Sequence, residues 1–187
     1  MHSAQHVVVR ALPNDEVDLG EVAWRRTCFY SSPIGKPGTR QRKHSDGMLN
    51  SLVRPAIEAL DPKMGVIRAD RLPSSPITAS VIEHVFRSRL LVADLSFHNP
   101  NVLHEVGLRH ASGKPCVLIS RIGDQIPTNL QDVRVVLLDI SETWDFLSEI
   151  EARRAEITAY ARWALSSEGQ DASPVQKLFP DYREHLA

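Results

Sequence analysis

The chain has 187 residues, a length that suits one domain with a substantial core and leaves little room for two. Hydrophobic residues make up 42% of it and charged residues 24%, an ordinary globular composition that argues against wholesale disorder. Lys and Arg number 22 against 23 Asp and Glu, so the net charge is −1. This balance gives no general attraction to nucleic acid or to a membrane surface.

Both cysteines, Cys28 and Cys116, lie inside apolar runs and are predicted to be buried strand thiols. A disulfide framework or a cysteine metal site is therefore not expected. The first six residues lack the basic-then-apolar order of a signal peptide. No apolar run approaches the ~20 residues that a membrane span needs, so we expect a soluble, cytoplasmic protein.

Regular patterning begins at Thr27, and residues 1–26 are interpreted as an N-terminal extension. Short β-prone runs predict strands at 27–30, 65–70, 90–95, 116–120 and 133–139. Apolar residues at spacings of three and four predict helices at 40–60, 78–87, 101–112 and 141–165. Pro55 must kink or interrupt the first of these helices. Residues 166–187 are interpreted as a polar tail.

Strand and helix alternate about five times, a pattern that predicts one α/β domain over residues 27–165 with parallel strands and right-handed crossovers. We expect a doubly wound five-stranded sheet in the order 2-1-3-4-5. Such a sheet binds its ligand beyond the carboxyl ends of the strands, where the strand order reverses. The candidate loops are therefore 31–38, 70–76, 94–101 and 120–129.

The richest segment for chemistry runs from Asp94 to Gly107. Asp94 ends a buried strand, and Glu105 lies about one turn into the helix that follows. At 100° per residue, Asn101 and Glu105 share one stripe while Val102 and Val106 turn toward the sheet. A positioned, ionised carboxylate at this edge can act on an oxocarbenium-like sugar carbon. The alternative is that Glu105 only complements the helix dipole on a solvated face.

The loop from Ser31 to Gly38 is predicted to present backbone N–H groups to a phosphate or carboxylate, with Arg40, Arg42 and Lys43 as nearby counter-charges. A plain turn before a solvated helix is the alternative interpretation. The loop has neither the glycine fingerprint of dinucleotide-binding folds nor the Walker lysine pattern. Asp70, which ends the second strand, is a candidate for holding ribose hydroxyls, or else a surface carboxylate beside arginines.

No metal site and no nucleophile elbow is predicted. His104 and His110 are six residues apart on one helix and point in different directions, and no Cys or carboxylate completes a ligand set with them. A Gly-x-Ser-x-Gly sequence is also missing. We therefore expect no metal and no resident cofactor.

Several short motifs together resemble a known family. They are FYSSPIG at 29–35, RPA at 54–56, ADLS at 93–96, NPNV at 99–102, HEVG at 104–107 and GKP at 113–115. As a set they resemble the bacterial TIR-like predicted nucleotide-binding proteins, which belong with nucleoside 2-deoxyribosyltransferases and the NAD-cleaving TIR (Toll/interleukin receptor) domains. The resemblance spans residues 27–117.

This resemblance implies a flavodoxin-like sheet and a helix glutamate, at position 105, that acts at the glycosidic carbon. We therefore expect cleavage of an N-glycosidic bond in NAD or a related nucleotide or nucleoside, in bacterial antiviral defence or signalling. NAD would be a substrate and not a cofactor. The expected substrate-binding residues are Ser31, Ser32, Pro33, Ile34, Gly35, Asp70, Asp94, Ser96, Asn99 and Asn101.

Two other functions stay open at this point. The chain would be a non-catalytic sensor if it binds a nucleotide signal and passes it to a partner. It would be a scaffold if it assembles through its helices, for which the long helix at 141–165 is the main argument. A homo-oligomer is compatible with each of these functions.

Overall fold

The five predicted strands form one parallel sheet in the computed structural model, which describes residues 23–72, 77–170 and 173–182. The order along the sheet is β2-β1-β3-β4-β5. This result confirms the predicted doubly wound, flavodoxin-like architecture. The strands are Thr27–Ser31 (β1), Gly65–Arg68 (β2), Leu90–Asp94 (β3), Cys116–Arg121 (β4) and Val135–Leu138 (β5).

Helices connect these strands and cover both faces of the sheet. Their bounds agree with the predicted ranges to within one or two residues, apart from the split of the first helix described below. They are Arg40–Met48 (α1), Arg54–Leu60 (α2), Ile77–Arg87 (α3), Pro100–Ala111 (α4) and Thr143–Ala164 (α5), followed by the short helices Ser167–Gln170 (α6) and Pro174–Leu178 (α7).

The sheet separates two hydrophobic cores because successive strand side chains point to opposite faces. On β3, Leu90 and Val92 join the core under α1, α2 and α5. Leu91 and Ala93 join the core under α3 and α4. All five residues of β3 are buried, which explains why this strand has consecutive apolar residues instead of alternating ones.

The helix predicted at 40–60 is interrupted, as Pro55 requires, by a π-helical segment at Leu49–Val53. Pro55 lacks the N–H that would bond the carbonyl of Ser51 in an α-helix. In its place the Nε of Arg154 on α5 donates to the Ser51 carbonyl at 2.7 Å. Thr158, one turn further along α5, donates to the carbonyl of Ala56 at 2.9 Å. The proline thus leaves the Ser51 carbonyl free to accept a hydrogen bond from α5, and this bond holds α5 against the π-helical segment between α1 and α2.

The structure describes little of the predicted N-terminal extension and more of the predicted C-terminal tail. Most of the extension at 1–26 lies outside the described residues. The described part of the tail contacts the end of α4, where the Ser173 hydroxyl donates to the His110 carbonyl at 2.7 Å. The Tyr182 hydroxyl bonds the next carbonyl, that of Ala111. Within the described ranges, no helix has the length and apolar character needed to span a membrane.

Replacing Arg154 by Leu tests the docking of α5 on the Ser51 carbonyl. We expect the free energy of unfolding to fall by about 1–2 kcal/mol, because the carbonyl is left without its donor. The matched control is Arg153→Leu, since Arg153 has similar exposure and pairs with Glu149 and Glu156 of its own helix. Arg154 also pairs with such a glutamate, Glu151, so the two variants differ chiefly in the bond to the Ser51 carbonyl. That change is expected to cost less than about 1 kcal/mol. Urea denaturation of both variants measures the difference, and equal losses would contradict the docking role.

Candidate functional site

A cleft of about 310 Å³ opens at the carboxyl edge of the sheet, on the face covered by α3 and α4. From β1 the chain crosses to β2 on one side and then returns to β3 on the other, so the strand order reverses at the β1–β3 boundary. The cleft therefore lies at the position where doubly wound sheets bind ligands. Its lining residues are Ser31, Ser32, Ile34, Ala69, Thr78, Val81, Ile82, Asn99, Asn101, His104 and Glu105.

Glu105 lies on the α4 wall of this cleft. Val102 and Val106 are buried against the sheet, and the helical period turns Glu105 toward the flank, where it is partly buried. Burial raises the pKa of the Glu105 carboxyl, and the Ser31 hydroxyl and the His104 imidazole oppose this shift. The carboxylate is thus poorly solvated and close to both of these groups.

Ser31 is the most unusual polar residue of the lining. It is 2% exposed, and its Oγ makes no hydrogen bond of ordinary length and angle with any described group. The hydroxyl is nevertheless near enough to the Glu105 carboxyl to lower the pKa of that group. Buried hydroxyls are almost always paired in folded proteins. An unpaired one on the wall of a cleft is therefore a good candidate for a ligand contact.

The start of α4 contributes Asn99 and Asn101 to the cleft. Asn99 is the N-cap of the helix, and its Oδ1 accepts from the backbone N–H of Asn101 at 3.0 Å and of Val102 at 3.4 Å. Pro100 occupies the first helical position, where its missing N–H has no consequence. The cap uses the Oδ1 of Asn99, so its amide Nδ2 is the group that can bind a ligand.

Asp94 lies beneath the cleft and outside its lining. It has no solvent exposure, and its Oδ2 is 2.7 Å from Nε2 of His44 and accepts from the Tyr30 hydroxyl at 3.2 Å. Its Oδ1 accepts from the N–H of Ser96 at 3.0 Å. Burial, and then the nearby Asp94 carboxyl, raise the pKa of Tyr30 well above its usual value. Asp94 therefore joins β1, α1 and the loop after β3.

Asp70 belongs to a separate network of charges. Arg68 is 1% exposed and binds Asp70 through both Nε and Nη2, each at 2.8 Å. Arg42 approaches the same carboxylate at 2.9 Å and also pairs with Asp46. The hydrogen bonds and charge of Arg68 hold the pKa of Asp70 below its ordinary value. Arg42, predicted as a counter-charge for phosphate, thus has two carboxylate partners.

The same network reaches the floor of the cleft through two serines. Arg68 donates to the Ser45 hydroxyl at 2.8 Å, and this hydroxyl is 2.6 Å from that of Ser32. Ser32 lines the cleft next to Ser31. Ser32 is therefore held by the charged network, whereas the hydroxyl of the adjacent Ser31 is available.

The loop after β3 contains two residues with left-handed backbone, Phe97 at φ 63° and His98 at φ 50°. Asp124 holds this loop by accepting from the N–H of Phe97 at 3.0 Å, and it also binds Arg121. The Arg121 guanidinium lies 3.9 Å from the centre of the Phe97 ring. Left-handed backbone is costly for residues other than glycine and is concentrated near functional sites. These contacts stabilise the loop that leads into α4.

Arg109, which the sequence interpretation missed, fixes the far end of α4. It is fully buried and donates to the backbone carbonyls of Val85, Ser88 and Pro115 at 2.6, 2.9 and 3.1 Å. Burial lowers the pKa of its guanidinium to about 10. The sequence could have indicated this role, because Arg109 lies seven residues, or two helical turns, after Val102 and therefore on the buried stripe of the helix.

The structure brings five of the ten predicted binding residues to the cleft beside Glu105. These are Ser31, Ser32, Ile34, Asn99 and Asn101. The others lie outside the lining. Asp70, Asp94 and Ser96 bond to protein groups, the Oγ of Ser96 accepting from the N–H of Arg121. Pro33 is buried, and a Cβ on Gly35 would be 2.4 Å from the Thr39 hydroxyl, so Gly35 shapes the turn.

The opposite wall comes from α3, which the sequence interpretation did not assign to the site. It contributes Thr78, Val81 and Ile82, while Val85 further along the helix is buried in the core.

A metal is not implied by the lining. Among the described residues, no three His, Cys, Asp or Glu side chains come together as a metal-binding group.

Neither a protein-family model nor a curated protein matches the chain. The chemistry of the cleft is therefore the basis for assigning a function.

Glu105→Gln is expected to stabilise the fold at neutral pH. The folded state raises the pKa of Glu105, so it favours the protonated carboxyl, and stability is lost as pH rises from the unfolded pKa through the folded one. The neutral amide avoids this loss. The difference in Tm between variant and wild type should be largest near pH 8 and smallest near pH 4. Glu83→Gln, on an exposed pair with Arg87, serves as the control and should show no such trend.

Ser31→Ala and Ser45→Ala are expected to differ in stability although both serines are buried. The Ser45 hydroxyl bonds Arg68 and Ser32, so its loss should cost about 1–2 kcal/mol. The Ser31 hydroxyl is unpaired, so its removal should leave the free energy of unfolding within about 0.5 kcal/mol of wild type. Urea denaturation decides, and an equally large loss for Ser31→Ala would show that its hydroxyl has a structural partner.

Proposed function

We propose that this protein cleaves the N-glycosidic bond of NAD or of a related nucleotide or nucleoside, with Glu105 acting at the C1′ carbon of the sugar. One observation carries the proposal. A partly buried carboxylate with a raised pKa lies on the wall of a cleft at the β1–β3 boundary, where the strand order of the sheet reverses. Carboxylates with perturbed pKa values in clefts are frequent at catalytic sites.

The proposed chemistry needs one negative charge near the sugar. When the bond between C1′ and the base nitrogen breaks, the electron pair leaves with the base and C1′ becomes an oxocarbenium-like cation. The Glu105 carboxylate either stabilises this cation or bonds to it. Water then adds its hydroxyl to C1′, displacing the Glu105 carboxylate with its electron pair where a bond to it has formed, and the water's proton passes to the solvent or to the released base. Poor solvation of Glu105 strengthens its attraction to the cation.

Polar and apolar lining residues are separated in a way that suits a nucleoside. Ser31, Asn99 and Asn101 lie with Glu105 on the β1 and α4 side and offer hydroxyl and amide groups to ribose hydroxyls. Val81 and Ile82 on α3 provide an apolar wall for a base. Ligand pockets combine a mostly apolar lining with a few polar groups that fix orientation in this manner.

The size and charge of the cleft suit one nucleoside unit. Its volume of about 310 Å³ is near the lower end for ligand pockets. The described lining residues include no Lys and no Arg. The phosphates and the second nucleoside of NAD would therefore extend outward, past Ile34, toward the exposed Lys36 and Arg40. Loss of a cytoplasmic nucleotide pool, or release of a signal from it, would suit the bacterial defence or signalling role that the motifs imply.

Glu105→Gln is the central test of this function. Purified wild-type protein is incubated with NAD and a panel of nucleosides, and released base is measured by chromatography. The variant keeps the shape of the side chain but loses its charge. We expect base release to fall about 10²- to 10³-fold, with much less effect on ligand affinity. Glu83→Gln, whose carboxylate is exposed on α3, should retain full activity.

The pH profile provides a second readout on the same protein. Base release should rise with pH as Glu105 ionises, with a midpoint above the ordinary value of 4.5. Unchanged activity of Glu105→Gln would remove Glu105 from the mechanism. Binding of a nucleotide without base release by the wild type would favour the sensor function instead.

A further inference from the structure

The first half of α5 extends along the protein with little cover from the rest of the fold. Its buried residues, Ile157, Thr158, Tyr160, Ala161 and Ala164, all lie in the second half. In the first half only Phe146 and Ile150 are partly covered by the core. Trp144 is 82% exposed and Leu147 is 48% exposed. Large apolar side chains with this exposure on a helix indicate a contact surface.

The outward face of α5 has an unusual composition for a surface helix. At 100° per residue the face opposite the core contains mostly small residues, with an aromatic ring at one end and a guanidinium at the other. All of its members are exposed, and they are Trp144, Ser148, Glu151, Ala152, Ala155, Ala159 and Arg162. We call this set the outer α5 face. Small side chains at its centre permit close approach of a second helix.

Charge is strongly segregated along the same helix. Residues 142–151 contain four acids, Glu142, Asp145, Glu149 and Glu151, and no Lys or Arg. Residues 152–164 contain three arginines, at positions 153, 154 and 162, and one glutamate. Two helices of this kind repel each other side by side in parallel. Arg153 and Arg154 already pair with Glu149, Glu151 and Glu156 of their own helix, so the ends of the helix decide the complementarity. In an antiparallel pair Asp145 at the acidic end of one helix approaches Arg162 at the basic end of the other, so the complementary partner is another copy of the same helix.

We propose that the outer α5 face is a self-association surface, which pairs antiparallel with the same face of a second copy about a two-fold axis near residue 153. Trp144 and Arg162 are 18 residues apart, which is five turns of helix, so they lie on one line. In this pair the Trp144 ring of each protomer meets Arg162 of its partner, twice per dimer. The alanines between them form the centre of the contact.

The two ends of the pair are chemically matched. A guanidinium over an indole ring is the strongest of the common cation–π contacts. Asp145, the residue after Trp144, can form an ion pair with the same Arg162 guanidinium of the other copy. The ion pairs that α5 forms among the described residues involve Arg153 and Arg154, and neither Asp145 nor Arg162 takes part in them. One helix face is small compared with the ~800 Å² per partner of stable complexes. The dimer is therefore expected to be concentration-dependent, in the micromolar range or weaker.

Sedimentation velocity over a wide concentration range tests the pairing in the full chain. Wild-type protein should pass from monomer to dimer, and added salt should weaken the association. Trp144→Glu should stay monomeric, and Arg162→Glu should weaken the dimer about tenfold or more. Adding Asp145→Arg to Arg162→Glu should restore association, because the exchanged charges again face each other. Far-UV circular dichroism checks that each variant is folded.

A cysteine placed at the centre of the contact gives an independent test. Ala152 lies next to the proposed axis, so Ala152→Cys should form a cross-linked dimer under mild oxidation. Ala79→Cys, which is also at an exposed position but on α3 across the sheet, is the matched control and should not form one. The native Cys28 is buried and Cys116 is largely covered. A wild-type protein that is monomeric at every concentration, or association that survives both Trp144→Glu and Arg162→Glu, would overturn the proposal.

Discussion

The buried carboxylate of Asp94, at the end of the central strand β3, constrains how the ends of β1 and β3 and the start of α1 are arranged around the cleft. A carboxylate with no solvent exposure is tolerated only when protein groups satisfy it. Its partners come from three places: Tyr30 on β1, His44 on α1 and the backbone of Ser96 after β3. Satisfying this one group therefore holds the ends of β1 and β3 together. Ser31, the residue after Tyr30, is placed at the cleft as a consequence.

Several other charged side chains, near the cleft and away from it, are also bound by protein groups. Arg68 and Arg42 share Asp46 and Asp70, while Arg109 binds three backbone carbonyls. The cleft lining retains Glu105 and His104 as its ionisable groups. The described lining contains no Lys or Arg beside Glu105, and His104 offsets its charge only in part, so this charge is available to a positive group that forms on a ligand. This distribution supports the proposed sugar-cation chemistry, which needs an uncompensated negative charge near C1′.

A carboxylate works at a fixed distance only if the element that carries it is rigid. The helix α4 is held at its start by the Asn99 cap and near its end by Arg109. The loop before it is held by Asp124 and by the stacking of Arg121 on Phe97. Glu105 thus belongs to a helix anchored on both sides, which is the arrangement that precise positioning demands. Ser31 lies at the end of the buried strand β1, so both groups are held side by side on the same side of the cleft.

Sequence alone determined the five strands, their order, the edge of the sheet at which the cleft opens and the side of α4 that carries Glu105. These features depend on local patterns: consecutive apolar residues in buried strands, a 3.6-residue period in helices, and Pro and Gly at the turns. Tertiary structure alone decided which polar residues serve the fold and which face the cleft. Asp94 meets Tyr30 and His44 from 64 and 50 residues away, and such partners have no local signature. For the same reason the sequence did not indicate the carbonyl partners of Arg109 or the α3 wall, whereas Asp70, two residues from Arg68, has the arginine partner that was one of its two predicted environments.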